Sequence, residues 1–115
     1  MRIFTPRLTI LPLLILAAAL LSTGSVHAAD LTAARAKVQA MCQVCHGIDG
    51  VAIVSEAANL SGQQKAYIVT QLRAYRAGSR QDPQMSIIAK SLTDVDIENL
   101  AEWYSGIKVT VEMPK

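Results

Sequence analysis

Cys42-Gln43-Val44-Cys45-His46 is the stretch on which the reading of this chain turns. Its spacing, C-x-x-C-H, is that of a c-type haem attachment site. On a helical turn Cys42 and Cys45 stand at i and i+3, and Cys42 and His46 at i and i+4, so the three side chains leave from one side. Two sulfurs placed in this way reach the two vinyl carbons along one porphyrin edge while the imidazole swings under the iron. Cys42 and Cys45 are therefore the expected thioether anchors of one covalent haem c, and His46 an axial ligand of its iron.

Two blander readings stand beside this one. Paired cysteines in an exported protein form disulfides, and C-x-x-C is also the redox motif of thioredoxin-like proteins, which carry it near a βαβ pattern. No strand pattern surrounds the motif here. Structural zinc closes with four Cys or His ligands, and the exported chain offers three, because His27 leaves with the leader.

Working outward toward the N-terminus, Arg2 and Arg7 form a positive region. An apolar run follows over 8–21, then a short stretch of mostly small residues ending Val26-His27-Ala28. This is the pattern of a secretory signal peptide over 1–28, with cleavage after Ala28 or Ala29. The apolar run, broken by Thr9 and Pro12, falls short of the ~20 residues a spanning helix needs, so no membrane span is expected after processing. The domain is then 29–115, in the periplasm.

The leader also carries the chain's excess of positive charge. The 11 Lys and Arg residues include Arg2 and Arg7, so the remainder balances the 9 Asp and Glu residues and gives no basic patch for nucleic acid. The domain is small, and its aromatic residues are only Tyr67, Tyr75, Trp103 and Tyr104. Domains of this size lean on a metal, disulfide or cofactor, and a haem supplies the large apolar surface that the side chains lack.

The periodicity predicts an all-α domain. A first helix over 31–45 carries Ala34, Val38, Met41 and Cys45 on one stripe, capped by Thr32 or Asp30. Gly47 and Gly50 mark a turn leaving the haem edge, and 51–60 reads as an irregular loop covering one haem face. A second helix fits 63–77, with Tyr67, Ile68, Leu72 and Tyr75 inward and Gly78 as its stop. Its charges, Lys65, Arg73 and Arg76, and the following Arg80 are all basic. They read as a solvated face, or in one case, Arg80, as the partner of a haem propionate. A last helix over 94–105 has Thr93 as N-cap, Gly106 as stop, and Ile97, Leu100, Ala101 and Tyr104 inward. The acidic residues of its first turn, set against the basic middle helix, lead to an expectation of segregated charge able to steer docking. The tail alternates Ile107, Val109 and Val111 and reads as a short extended segment.

Between these helices lies Asp82-Pro83-Gln84-Met85. Asp-Pro favours a turn, which places Met85 just past a break and lets it point inward from a loop. Of the three methionines after the leader, Met41 adjoins Cys42 and cannot reach the other face of the ring, and Met113 is the third residue from the end. Met85 is the natural sixth ligand of the iron.

Taken together, these residues resemble the small bacterial class I cytochromes c over nearly all of the domain. C-Q-V-C-H-G-I-D-G runs from Cys42 to Gly50 and N-L-S-G-Q from Asn59 to Gln63. Tyr67, Gln71 and Leu72 follow in phase, and Gly78, Arg80, Met85 and Leu92-Thr93-Asp94 complete the pattern. The resemblance implies about three main helices around one haem, His46/Met85 ligation, and one-electron transfer with periplasmic protein partners. Relatives often have proline where this chain has Ala58, a position whose carbonyl accepts a hydrogen bond from the axial imidazole. The tail past Gly106 is a second departure.

A filled coordination sphere and the absence of spare histidine or cysteine favour a carrier over an enzyme. An obligate cytochrome subunit of a periplasmic dehydrogenase or oxidase is the alternative reading. A haem enzyme or gas sensor with a displaceable Met85 is the third.

Overall fold

The computed structural model describes residues 28–115. Apart from Ala28, the expected leader lies outside the described residues. Among the described residues all regular structure is helical, in the order α1 (Leu31–Lys37), a π-helical turn (Val38–Cys42), α2 (Gln43–His46), α3 (Lys65–Ala77), α4 (Met85–Lys90) and α5 (Asp94–Ser105). No helix among them is long and apolar enough to cross a membrane.

The first helix departs from expectation in its interior. Asp30, rather than Thr32, caps it, its carboxylate accepting the N–H groups of Thr32 and Ala33. The path from Leu31 to His46 is continuous, but Val38–Cys42 is wound as a π turn, with the Gln43 N–H bonded to the Val38 carbonyl. Such turns gather at functional sites. This one delivers Cys42 to the start of α2, so that Cys42, Cys45 and His46 keep their one-sided spacing.

The three longer segments pack through α5. Ile97, Leu100, Ala101 and Tyr104 are at most 2% exposed, and with Val38, Ile68, Val69 and Leu92 they form the core. Thr93 accepts the Asp96 N–H, while the Asp96 carboxylate accepts the Thr93 N–H, a reciprocal cap that fixes where α5 begins. Buried Asn99, which sequence periodicity did not single out, accepts the Asp30 N–H at 2.9 Å and ties the start of α1 to the middle of α5.

Two expectations are corrected along the chain. α3 begins at Lys65, two residues later than its sequence pattern predicts, because Gln64 is extended (φ −60°, ψ 127°). Gly78 ends it in the left-handed region at φ 81°, as the stop signal requires. Met85 does not sit in a loop but opens a short helix, α4. The Asp82 carboxylate accepts the N–H groups of Gln84 and Met85, and Pro83 supplies a fixed φ, so the Asp-Pro pair starts a helix instead of merely breaking the chain. The tail has no assigned strand; Ile107 packs against the core and the residues beyond it are exposed.

The expected charge segregation is also overturned. Lys65 reaches Glu102 at 2.8 Å, Arg73 reaches Glu98 at 3.1 Å, Arg76 reaches Asp94 at 2.5 Å, and Lys37 reaches Asp96 at 3.2 Å. The basic residues of α3 and the acidic residues of α5 face one another and cancel, which a sequence shows only as two blocks of opposite sign.

This pairing has a measurable consequence in acid. The Arg76 hydrogen bond, helped by the charges of Arg76 and Arg73, holds the Asp94 carboxyl below its usual range. A depressed folded value means that its contribution is present above the unfolded value of about 3.9 and is lost as pH falls through the folded one. The thermal midpoint is expected to stay flat from pH 7 to about 5 and to drop below about 4. Asp94→Asn, measured by the same thermal melts, is expected to make that drop shallower. An unchanged acid limb in the variant would show that the pair contributes nothing to it.

Candidate cofactor site

Cys42, Cys45, His46 and Met85 line one cavity of about 630 Å³. The first three come from the end of the first helix and Met85 from the start of α4, so segments some forty residues apart in sequence meet at a single site. Its remaining wall is mostly apolar, with Leu60 and Val54 from the 51–60 loop, Ile68 and Leu72 from α3, and Ile88 from α4. The loop therefore covers one side of the cavity, as its position after the motif predicts.

His46 is held by a backbone carbonyl. Its Nδ1 lies 2.8 Å from the Ala58 carbonyl, which leaves Nε2 as the ring nitrogen free to face a metal. The bond forms with alanine at position 58, where the resemblance leads to an expectation of proline. Two backbone bonds anchor the loop on either side of Ala58: Ile53 N–H to the Cys45 carbonyl at 2.8 Å, and Leu60 N–H to the Gly50 carbonyl at 2.7 Å. The Asn59 side chain adds a third by accepting the Ala52 N–H at 2.8 Å. With the imidazole oriented by a carbonyl, His46 has the outer-shell partner that metal-bound histidines usually have.

The two cysteines are free thiols in different surroundings. Burial pushes the Cys42 thiol up to about 11, against the opposing charge of Lys37, so Cys42 is held neutral on an apolar wall. Cys45 lies at the rim, where its Sγ is 3.9 Å from Gln84 Oε1, at the threshold of α4. Among the described residues no three His, Cys, Asp or Glu side chains converge as a zinc site would need.

The turn after His46 is clamped by α5, and nothing in the local sequence signals it. Trp103 donates its indole N–H to the Ile48 carbonyl at 3.0 Å, and Tyr104 its hydroxyl to the Gly47 carbonyl at 3.3 Å. Gly50, at φ 75°, allows the close approach of Ser61 and Tyr104, since a Cβ there would lie 2.6 Å from the Ser61 nitrogen. Arg80 also lines the cavity. It donates to Gln71 Oε1 and lies over the Tyr75 ring at 4.6 Å, which leaves its remaining N–H groups able to meet an anionic group at the rim.

The donor set fits a covalently held haem. A mostly apolar cavity, two thiols and an oriented imidazole on one helical turn, a thioether from another segment and a guanidinium at the edge are the groups such a macrocycle requires.

No family model matches the chain. It is similar to cytochrome c4 of Pseudomonas aeruginosa, 32% identical over 79% of this chain and 45% of that protein. It is 35% identical to cytochrome c4 of Stutzerimonas stutzeri, over 77% of this chain and 47% of the relative. Cytochrome c-554(548) of Halomonas halodenitrificans is 36% identical over 69% of this chain and 98% of its own length. The chain thus spans about half the length of the cytochromes c4 and nearly all of the shorter relative.

Proposed function

The chain belongs to the small class I c-type cytochromes, which carry covalently bound haem c, and on that premise we propose that it is a periplasmic one-electron carrier. In this reading Cys42 and Cys45 would hold the haem through thioethers, and His46 and Met85 would ligate its iron. The haem iron supplies the redox chemistry by cycling between its ferric and ferrous states. The protein's part is to hold the group, orient its ligands and exclude water. The observation that carries the reading is the meeting of Cys42, Cys45, His46 and Met85 in one mostly apolar cavity.

Each residue has a physical task. The Ala58 carbonyl fixes the His46 tautomer and ring plane. The Met85 thioether and the His46 imidazole would together fill the iron's coordination sphere and raise its potential, which would favour electron transfer over substrate binding. Arg80, at the rim, neutralises a propionate. The leader at 1–28 exports the chain, and partners are redox proteins met briefly.

The test uses the purified holoprotein. A reversible one-electron titration, without substrate turnover by the protein alone, is the expected result; turnover would favour an enzyme. A stoichiometric complex with a dehydrogenase or oxidase that survives high salt would instead make the chain an obligate subunit.

The charge pairing between α3 and α5 adds a sharper expectation. Val44, Ile53 and Ile87 are each at least 69% exposed. Val44 adjoins Cys45, the Ile53 N–H bonds the Cys45 carbonyl, and Ile87 follows Gln84 by one helical turn, so all three surround the Cys45 rim. An apolar surface around Cys45, with the charges of α3 and α5 paired to one another, meets its partner with little electrostatic steering. The bimolecular rate is expected to change less than about threefold as the Debye length shrinks from about 30 Å to 10 Å. Stopped-flow rates that fell tenfold or more over that range would contradict it.

A further inference from the structure

We infer that Asp82 is a positioning residue for Met85, holding its backbone at the cavity and so setting how readily the iron's sixth position opens to an outside ligand. The inference rests on the reading of Met85 as an axial ligand.

Four hydrogen bonds close a ring around this segment. Asp82 Oδ1 accepts the Gln84 N–H at 2.9 Å and the Met85 N–H at 2.8 Å. The Asp82 N–H donates to Ser86 Oγ at 3.0 Å, and the Ser86 N–H returns to the Asp82 carbonyl at 3.1 Å. Met85 lies inside the ring, and Pro83 stiffens it by fixing its own φ.

The rest of α4 cannot do this work. The helix has six residues, too few to be stable alone, and Gln84 makes no side-chain cap. Its far end is anchored, since Ala89 is fully buried and Leu92 belongs to the core. The near end, which carries Met85, depends on Asp82 and Ser86. Residues 79–82 before it have no helix or strand to brace it. Without the carboxylate the Met85 N–H loses its partner and the first turn frays, which withdraws the thioether while the anchored end stays in place.

The test is imidazole binding to the ferric holoprotein, followed by the loss of the methionine-to-iron charge-transfer band. Asp82→Ala is expected to bind imidazole about tenfold more tightly than the parent, the effect of one lost cap on a ligand-release equilibrium. Asp82→Asn keeps an acceptor oxygen and is expected to stay within about twofold. Ser86→Ala, a milder change that serves if Asp82→Ala does not fold, is expected to give about threefold. Thr93→Ala removes the equivalent N-cap on α5, where the Thr93 hydroxyl accepts the Asp96 N–H, and is expected to leave imidazole affinity unchanged while lowering the thermal midpoint. Equal shifts in Asp82→Ala and Thr93→Ala would reduce Asp82 to a general stabiliser and overturn the inference. Parent-like affinity in both Asp82→Ala and Ser86→Ala, with Met85→Ala binding far more tightly, would overturn it while leaving the ligand assignment standing. Parent-like affinity in Met85→Ala itself would overturn both.

Discussion

A chain with serine at both Cys42 and Cys45 is expected to release all of its haem on acid and organic extraction and to lose the fold with it. The first effect follows from the two thioethers being the only covalent links this reading provides. The second follows from magnitude. A lost filling of the 630 Å³ cavity, at about 24 cal/mol per Å³, corresponds to roughly 15 kcal/mol as an upper limit, since an open cleft partly collapses. Whole domains are stable by only about 5–15 kcal/mol. The remaining core is eight side chains, Val38, Ile68, Val69, Leu92, Ile97, Leu100, Ala101 and Tyr104, too few to stand against that loss. Cys42→Ser alone, and Cys45→Ser alone, are each expected to keep the haem through one thioether and to melt at an intermediate temperature. Extraction followed by mass measurement, with far-UV circular dichroism on the same samples, reads both effects. Native helicity in the haem-free double variant would show that the side chains alone sustain the fold.

The parts of this molecule that were legible from sequence are those whose cause is local. In α5, Thr93, the inward set from Ile97 to Tyr104, and Gly106 all lie within one helix length, and each acts where the pattern puts it. The cofactor cavity was legible for a different reason. C-x-x-C-H is compact, and with only three methionines after the leader, Met85 was the one able to come from a distance; it lines the same cavity as the motif. What stayed hidden was of two kinds. The π turn at Val38–Cys42 has no compositional signature, because i+5 bonding demands no particular residue. Long-range pairings leave no trace in a linear reading. The clamp of Trp103 and Tyr104 on the Gly47 and Ile48 carbonyls spans more than fifty positions, and the α3–α5 ion pairs looked like segregated charge until the helices were set side by side. α4 falls between the two kinds. Asp followed by Pro is a helix-start signal as well as a turn signal, and the carboxylate's bonds to the Gln84 and Met85 N–H groups show which one applies.

Met85→Ala is expected to convert a six-coordinate low-spin iron to one that takes water or an added small ligand, and to lower the reduction potential by on the order of 100 mV or more. The sign follows from the ligand chemistry. A thioether is soft and neutral and favours the ferrous state, while the water or hydroxide that replaces it favours the ferric. Met85 is only partly buried and lines the cavity from the first turn of α4, so removing its side chain opens the site without touching the core. Two controls separate ligation from general loosening. Met113→Leu lies in the exposed tail, at 80% exposure, and is expected to change neither spectrum nor potential. Met41→Leu keeps the apolar volume packed against the core one residue before Cys42, and is expected to lower the thermal midpoint slightly with the spectrum intact. Met85→His, which offers an imidazole in place of the thioether, is expected to remain low-spin and six-coordinate while the potential falls, so that spin state and potential move independently. Ferric and ferrous absorption spectra with a spectroelectrochemical titration of the four variants decide the assignment. A parent-like spectrum and potential in Met85→Ala would mean that the sixth ligand is another group.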